Sequence, residues 1–130
     1  MDLIKEVWLF TKDGNPIAEY CQNACMEESL IPNLAKEVKT YISLLDNVIQ
    51  SFDFVDYKIT FSPALKRSIY IVCIGPISVK NKKLIKICKE IVNLFEGLYK
   101  LDDLIEWDGD LEFFEKFKQR INLFLQLSDF

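Results

Sequence analysis

A nearly continuous apolar run at residues 68–76, with the sequence SIYIVCIGP, limits the folds open to this chain. Its β-branched residues favour a strand, and Gly75–Pro76 ends that strand. A strand with one solvated face alternates apolar and polar residues, and this one does not. The run therefore predicts a central strand that other elements cover on both faces of its sheet.

Two other segments predict antiparallel neighbours for this strand. In residues 6–21, apolar runs flank Asp13–Gly14, which favours a hairpin, and Pro16 opens the second run. Proline cannot donate a hydrogen bond to a neighbouring strand, so this second strand is expected at an edge. Residues 54–61 alternate apolar and polar side chains, which is typical of a half-buried strand, and residues 50–54 are a further candidate.

Three segments repeat apolar residues at spacings of three and four, as amphipathic helices do: residues 29–52, 81–99 and 110–127. The predicted order is β-β-α-β-β-(β)-α-α. We therefore expect an α+β fold, a five-stranded and mostly antiparallel sheet with helices packed on its faces. The expected domain is single and spans 1–130, with residues 108–127 as an added C-terminal helix.

Composition excludes several classes of function. The chain of 130 residues carries a net charge of -4, which does not favour binding to nucleic acid. It has no histidine, so the commonest general base and the commonest zinc ligand are missing. We found no phosphate-binding loop, dinucleotide fingerprint or nucleophile elbow. These features predict a protein that is not an enzyme, with no catalytic residues, no metal and no cofactor.

The same composition predicts the compartment and the state of the cysteines. No apolar run is long enough to span a bilayer, and the N-terminus lacks the pattern of a signal peptide, so a cytoplasmic location is expected. The four cysteines are expected to be reduced and buried: Cys21, Cys25, Cys73 and Cys88. Their spacing lacks the two tight pairs that are typical of a zinc site.

The sequence IEWDGDLE, residues 105–112, is the strongest candidate for a ligand loop. With Gly109 at the glycine position of a calcium-binding loop, acids fall at four ligand positions: Glu106, Asp108, Glu112 and Glu115. Leu104 occupies the first ligand position, which argues against calcium. The preferred interpretation is a turn at Asp108–Gly109 followed by a helix capped by Asp110. Trp107 is then either a core residue or an exposed anchor for a partner.

A second charged segment lies between Lys80 and Lys89, where five lysines surround the start of the second predicted helix. They could contact an acidic partner or the surface of a membrane, or pair with the seven acids of residues 102–115. A solvated helix face is the preferred interpretation, because most runs of charge are of that kind.

The element order and two local patterns resemble the longin domain family. The patterns are VWLFTKDGNPIAEY at residues 7–20 and DYKITFSPALKRSIYIVCIGP at residues 56–76, and the resemblance covers residues 3–127. It implies a five-stranded antiparallel sheet between helices and a platform without catalytic residues. Longin domains pair with another longin or roadblock domain, and some regulate small GTPases in vesicle trafficking. Because no SNARE helix or membrane tail is recognisable, the chain is most similar to the GTPase-regulator and adaptor types, and its richness in Lys, Ile and Asn suits an archaeal genome.

The residues themselves also favour an interaction module. An edge strand at residues 16–22 would offer unpaired backbone groups to another sheet, and Glu19 is its one charge. The first helix has more apolar residues than a minimal stripe needs, and these could cover either the core or a partner. The predicted partner-binding residues are Ile17, Glu19, Tyr20, Ile42, Ile49 and Trp107. The alternative function is a small-ligand or metal-binding regulatory domain that uses the acidic loop 102–115.

Overall fold

Nine helices and strands make up the part of the chain that the computed structural model describes, residues 4–21, 25–44 and 50–127. The strands are β1 (Glu6–Thr11), β2 (Pro16–Cys21), β3 (Gln50–Phe54), β4 (Tyr57–Ala64) and β5 (Ile69–Pro76). The α-helices are α1 (Ile31–Leu44), α2 (Asn81–Leu98), α3 (Leu101–Ile105) and α4 (Glu115–Leu127). Short 3₁₀ turns at Glu28–Leu30 and Leu111–Phe114 lead into α1 and α4.

The five strands form one antiparallel sheet in the order β2-β1-β5-β4-β3. β5 lies in the middle, and its residues from Ile69 to Gly75 are all buried. This confirms both the α+β fold class and the central position predicted for this run. β2 and β3 are the two margins of the sheet, so the edge position predicted for β2 is also confirmed.

A separate apolar layer covers each face of the sheet. One face packs against α1, which contributes the fully buried Leu34 and Val38. The other face packs against α2 and α4, whose buried residues include Phe95 and Phe117. The molecule therefore has three layers, because β5 presents apolar side chains in both directions.

Glycine is required where the β1–β2 hairpin approaches α1. Gly14 has a φ of +87°, which L side chains rarely adopt. A Cβ added there would lie 2.6 Å from Cβ of Lys39. The turn predicted at Asp13–Gly14 is confirmed.

Two predicted element boundaries are wrong. The helix predicted for residues 29–52 is described as far as Leu44, and residues 50–54 form the strand β3. Phe52 fits the helical spacing of the apolar residues that precede it in the sequence, but in the structure it pairs with Ile59 of the neighbouring strand. The strand predicted for residues 54–61 is likewise two strands, joined by a turn at Val55–Asp56, and β4 continues to Ala64. α3 was not predicted, because five residues are too short for a periodic signal.

The carboxylate of Glu6 is buried on the α1 face of the sheet. It accepts hydrogen bonds from the Trp8 indole N–H (3.2 Å) and from the backbone N–H of Met26 (2.9 Å). Two donors thus compensate part of the cost of burying this acid. The contact also fixes the segment before α1 against the first strand.

Candidate interaction site

β2 has a strand neighbour on one side only within the described chain. Its pairing with β1 shifts register between Leu9 and Phe10, because Ala18 faces Leu9 whereas Pro16 faces Phe10. Ile17 is therefore the extra residue of a β-bulge, a device that limits pairing at sheet edges. The regular part of the margin runs from Ala18 to Cys21, and Glu19 is exposed there.

Tyr20 is bound within its own domain. Its hydroxyl donates a 2.7 Å hydrogen bond to Oδ1 of Asn122 on α4. Partial burial raises the pKa of the phenol above its ordinary value. The side chain thus joins the sheet margin to α4, and a partner at β2 would contact the backbone and Glu19 more readily than this ring.

Trp107 belongs to a tightly bonded turn between α3 and α4. Its indole N–H donates to the carbonyl of Asp110 (2.8 Å), and its ring lies 5.0 Å from that of Phe114. Asp108 accepts from the N–H of Asp110 (2.9 Å), and Asp110 accepts from the N–H of Glu112 (3.0 Å). With a φ of +95° at Gly109, the predicted turn and the predicted cap at Asp110 are both confirmed.

The ring of Trp107 is half-buried, so it contacts the core and also lines a surface. A cleft of ≈ 270 Å³ lies between α3, the β1–β2 turn and the start of β5. We call it the Trp107 cleft, and its apolar lining is Ile17, Ile69, Leu101, Leu104, Ile105 and Trp107. Two residues predicted from distant parts of the sequence, Ile17 and Trp107, thus meet in one cleft.

Three acids beside Trp107 accept hydrogen bonds from backbone N–H groups. Asp103 accepts from the backbone N–H of Lys100 (2.8 Å). Asp108 and Asp110 likewise accept from backbone N–H groups two residues further along the chain. Across the described residues, cysteines and acids do not form a group of three that could hold a metal ion. The alternative of a metal or small ligand at residues 102–115 stays a prediction without a supporting cluster.

Ile42 lies on the opposite face of the sheet from the Trp107 cleft. It is half-buried against the α1 layer of the core. Ile49 falls outside the described residues. The predicted set is therefore divided, with Ile17 and Trp107 at one end, Glu19 and Tyr20 along β2, and Ile42 on α1.

The cysteines form two different pairs. Cys73 and Cys88 are free and buried, as predicted, and hydrogen bonding with the Cys88 thiol together with burial holds the pKa of Cys73 well above its usual value. A thiol of this kind is a poor nucleophile. The prediction of reduced thiols is wrong for Cys21 and Cys25, which form a disulfide with Cα atoms 5.9 Å apart. Their spacing at the end of β2 allows this geometry, which the sequence did not reveal.

The five lysines from Lys80 to Lys89 are exposed at the N-cap and along the first half of α2. Among the described residues, they form no ion pair with the acids of residues 102–115. The preferred interpretation as a solvated face agrees with this exposure.

Six large apolar side chains of the described residues are exposed and were not predicted as site residues: Val55, Ile77, Ile105, Leu111, Leu123 and Leu127. Ile105 is 71% exposed at the rim of the Trp107 cleft. Val55 and Ile77 lie in turns, and Ile105 is the last residue of α3. The sequence hid Val55, because it fits the alternation of the strand predicted for residues 54–61. Ile77 follows Gly75–Pro76, outside any predicted helix or strand, and that position was the signal that could have identified it.

In comparisons with known proteins, no family model matches the chain, and no curated protein matches it significantly. Within the described ranges, every helix is too short or too polar to cross a membrane.

Proposed function

We propose that this chain is a non-enzymatic interaction module of the longin type that acts as a scaffold or small-GTPase regulator. The partner would be a small GTPase or another longin or roadblock domain. One observation carries the proposal: β2 closes one margin of the sheet with its outer side unpaired in the described chain. Backbone N–H and C=O groups on such a margin can pair with a strand of a partner.

Other features support binding at this margin. The bulge at Ile17 and the proline before it restrict pairing to the stretch from Ala18 to Cys21. The Cys21–Cys25 disulfide holds the end of that stretch, and the Tyr20–Asn122 hydrogen bond holds it against α4. A strand that is already fixed loses less conformational entropy when it binds.

We further propose a cytoplasmic location, as trafficking-type regulators require. The disulfide is unusual for that compartment, where thiols are normally kept reduced. Intracellular proteins of hyperthermophilic archaea and bacteria are the known exception, and the archaeal source that we propose would fit it. The redox state of Cys21 in cells therefore bears directly on where the protein acts.

Proline substitutions at Ala18 and Glu19 test the role of the margin. Neighbouring residues of a strand turn their N–H groups to opposite sides, so one proline breaks a bond to β1 and the other removes an outward N–H. The variant that retains the native circular dichroism and thermal transition is the one that blocks the margin alone. Glu19→Gln, which keeps the N–H, is the matched control.

Wild type, the folded proline variant and the control are then used as baits in native lysate. We expect wild type and Glu19→Gln to recover a small GTPase or a longin or roadblock protein, and the proline variant to lose it. The recovered partner is purified and titrated against all three by calorimetry, with GDP and with a GTP analogue. Equal affinity for wild type and the proline variant would contradict binding at β2.

A further inference from the structure

The two ends of the sheet carry different surfaces. One end holds the Trp107 cleft, whose charged lining residues are Lys12 and Asp13 on the β1–β2 turn. The exposed acids of α3 lie beside the cleft, and Asp103 and Glu106 line a second depression on the other side of Trp107. The opposite end holds the β3–β4 turn, the end of β5 and the start of α2. We call this second surface the Ile77 end and define it by Val55, Ile77, Lys80, Lys82 and Lys83.

The Ile77 end presents apolar side chains on a fixed backbone. Ile77 is 42% exposed and Val55 is 61% exposed. The N–H of Ile77 donates to the carbonyl of Asp56 (3.2 Å), and the N–H of Val79 donates to the carbonyl of Pro76 (3.0 Å). Val55 has a φ of +55°, an unfavourable conformation for a β-branched residue. Such strain often accompanies a surface with a function.

The charges of the two ends do not compensate each other within one copy. α2 has 18 residues and leads from the Ile77 end to α3, so its axis is about 27 Å long. The Debye length is about 8 Å at physiological salt, which screens exposed charges at that separation. The acids at 102, 103, 106 and 108 and the lysines at 80, 82 and 83 are all exposed.

We propose that the Trp107 cleft binds the Ile77 end of a second copy of this chain. The apolar lining of the cleft receives Ile77 and Val55, and the neighbouring lysines meet the exposed acids of α3 beside the cleft. This contact is head to tail, so it leaves one cleft and one Ile77 end free and builds a ring or an open chain of copies.

Two single substitutions separate the halves of this contact. Ile105→Asp places a charge at the rim of the cleft, and Ile77→Asp places one on the opposite end. Both residues are exposed, so we expect the circular dichroism and thermal transition of wild type. In sedimentation velocity, wild type should form species that grow with concentration, and each variant alone should remain monomeric.

The mixture of the two variants is the decisive experiment. Ile105→Asp retains an intact Ile77 end, and Ile77→Asp retains an intact cleft, so together they should form a dimer and nothing larger. A mixture that stays monomeric while wild type associates would overturn the proposal. Variants that each dimerise as wild type does would also overturn it, because the contact would then lie elsewhere.

Salt and charge reversal test the electrostatic half. Raising salt from about 0.1 M to about 1 M shortens the Debye length from about 10 Å to about 3 Å and should weaken association. Lys82→Glu with Lys83→Glu, or Asp102→Lys with Glu106→Lys, should each weaken it about tenfold or more, since like charges then meet. Mixing these two reversed proteins should restore their pairing, and failure to do so contradicts the assigned contact. The β2 proline variant should still self-associate, because its cleft and its Ile77 end are intact. Loss of partner binding and loss of self-association therefore test the proposed function and this inference independently.

Discussion

Tyr99 shows at the scale of one residue how burial links stability to pH. Its ring is buried among Phe95, Phe113 and Phe114, and its hydroxyl donates to the carbonyl of Phe113 (2.7 Å). Burial raises the pKa of this phenol to about 12, because the phenolate would lose its hydration. The neutral form of Tyr99 is therefore bound into the α2–α4 interface.

The free energy of unfolding should depend on this proton in alkaline solution. The stabilisation is complete below the unfolded pKa of about 10 and is lost as pH rises through the folded value of about 12. About 1.4 kcal/mol should be gone by about pH 11. Tyr99→Phe should be less stable than wild type by about 1–2 kcal/mol at about pH 8, where the hydrogen bond is lost.

Urea unfolding of both proteins at the two pH values measures this difference. Because Tyr99→Phe cannot ionise at this position, the gap should nearly close by about pH 11. The other tyrosines and the lysines titrate alike in both proteins and cancel in the comparison. A gap that is independent of pH would show that the Tyr99 hydroxyl does not titrate with folding.

Single residues were predictable where their roles are local. Asp110 as a cap and Gly14 in a turn follow from chemistry within a few positions along the chain. The Glu6–Met26 and Tyr20–Asn122 hydrogen bonds join residues that are 20 and 102 positions apart. Contacts of that kind depend on how elements pack, which a single sequence does not encode locally.

At the scale of elements, the turn between β4 and β5 has an unusual backbone. Leu65, Lys66 and Arg67 have φ values of +50°, +55° and +66° in succession. Left-handed residues are normally isolated, because each places its Cβ against the following carbonyl. The N–H of Leu65 donates to Oε2 of Glu96 (2.9 Å), and the Ser68 hydroxyl donates to the carbonyl of Leu65 (2.6 Å), so side chains hold the turn in place.

Replacing Lys66 with glycine should stabilise the protein. The left-handed conformation costs an L residue about 1–2 kcal/mol. Glycine removes that cost but adds about 0.4–1 kcal/mol of chain entropy to the unfolded state. The expected net gain is about 0.5–1 kcal/mol in guanidinium unfolding, by the difference of these terms.

Lys12→Gly is the matched control for that substitution. Lys12 is also an exposed turn lysine, but it does not have a positive φ. Only the entropic cost applies there, so the control should be less stable than wild type. The same sign of change at both positions would exclude relief of backbone strain as the cause.

Sequence periodicity identified elements better than their ends. β5 and α2 were predicted within one or two residues, since each has a long apolar pattern bounded by turn residues. The helix predicted for 29–52 ran into β3 because Phe52 satisfies both a spacing of four from Val48 and alternation with Phe54. A short apolar run supports both periods until its strand partner is known.

At the scale of the whole molecule, the segment predicted as an added C-terminal helix supplies part of the core. Phe114, Phe117 and Ile121 are buried against α2 and the sheet. The ring centroids of Phe95 and Phe117 are 5.0 Å apart in an edge-on contact. Removal of α4 would expose the part of this face near β1 and β2 and the side of α2 that packs on Phe117, so a chain that ends at residue 107 should lack cooperative unfolding.

Phe117→Ala tests this dependence without shortening the chain. Phe117 is 2% exposed, so its truncation leaves a cavity and should cost about 3–5 kcal/mol of the free energy of unfolding. Leu123→Ala lies on the same helix, but Leu123 is 49% exposed, and its cost should be within about 0.5 kcal/mol, as for surface residues.

Guanidinium unfolding followed by circular dichroism and by tryptophan fluorescence distinguishes the two. Because Trp8 lies on the α1 face and Trp107 packs beside α4, coincident transitions would show that the three layers unfold together. If Phe117→Ala is as mild as Leu123→Ala, or the truncated chain keeps the thermal transition of wild type, then α4 is an accessory to a fold that the sheet, α1 and α2 can maintain.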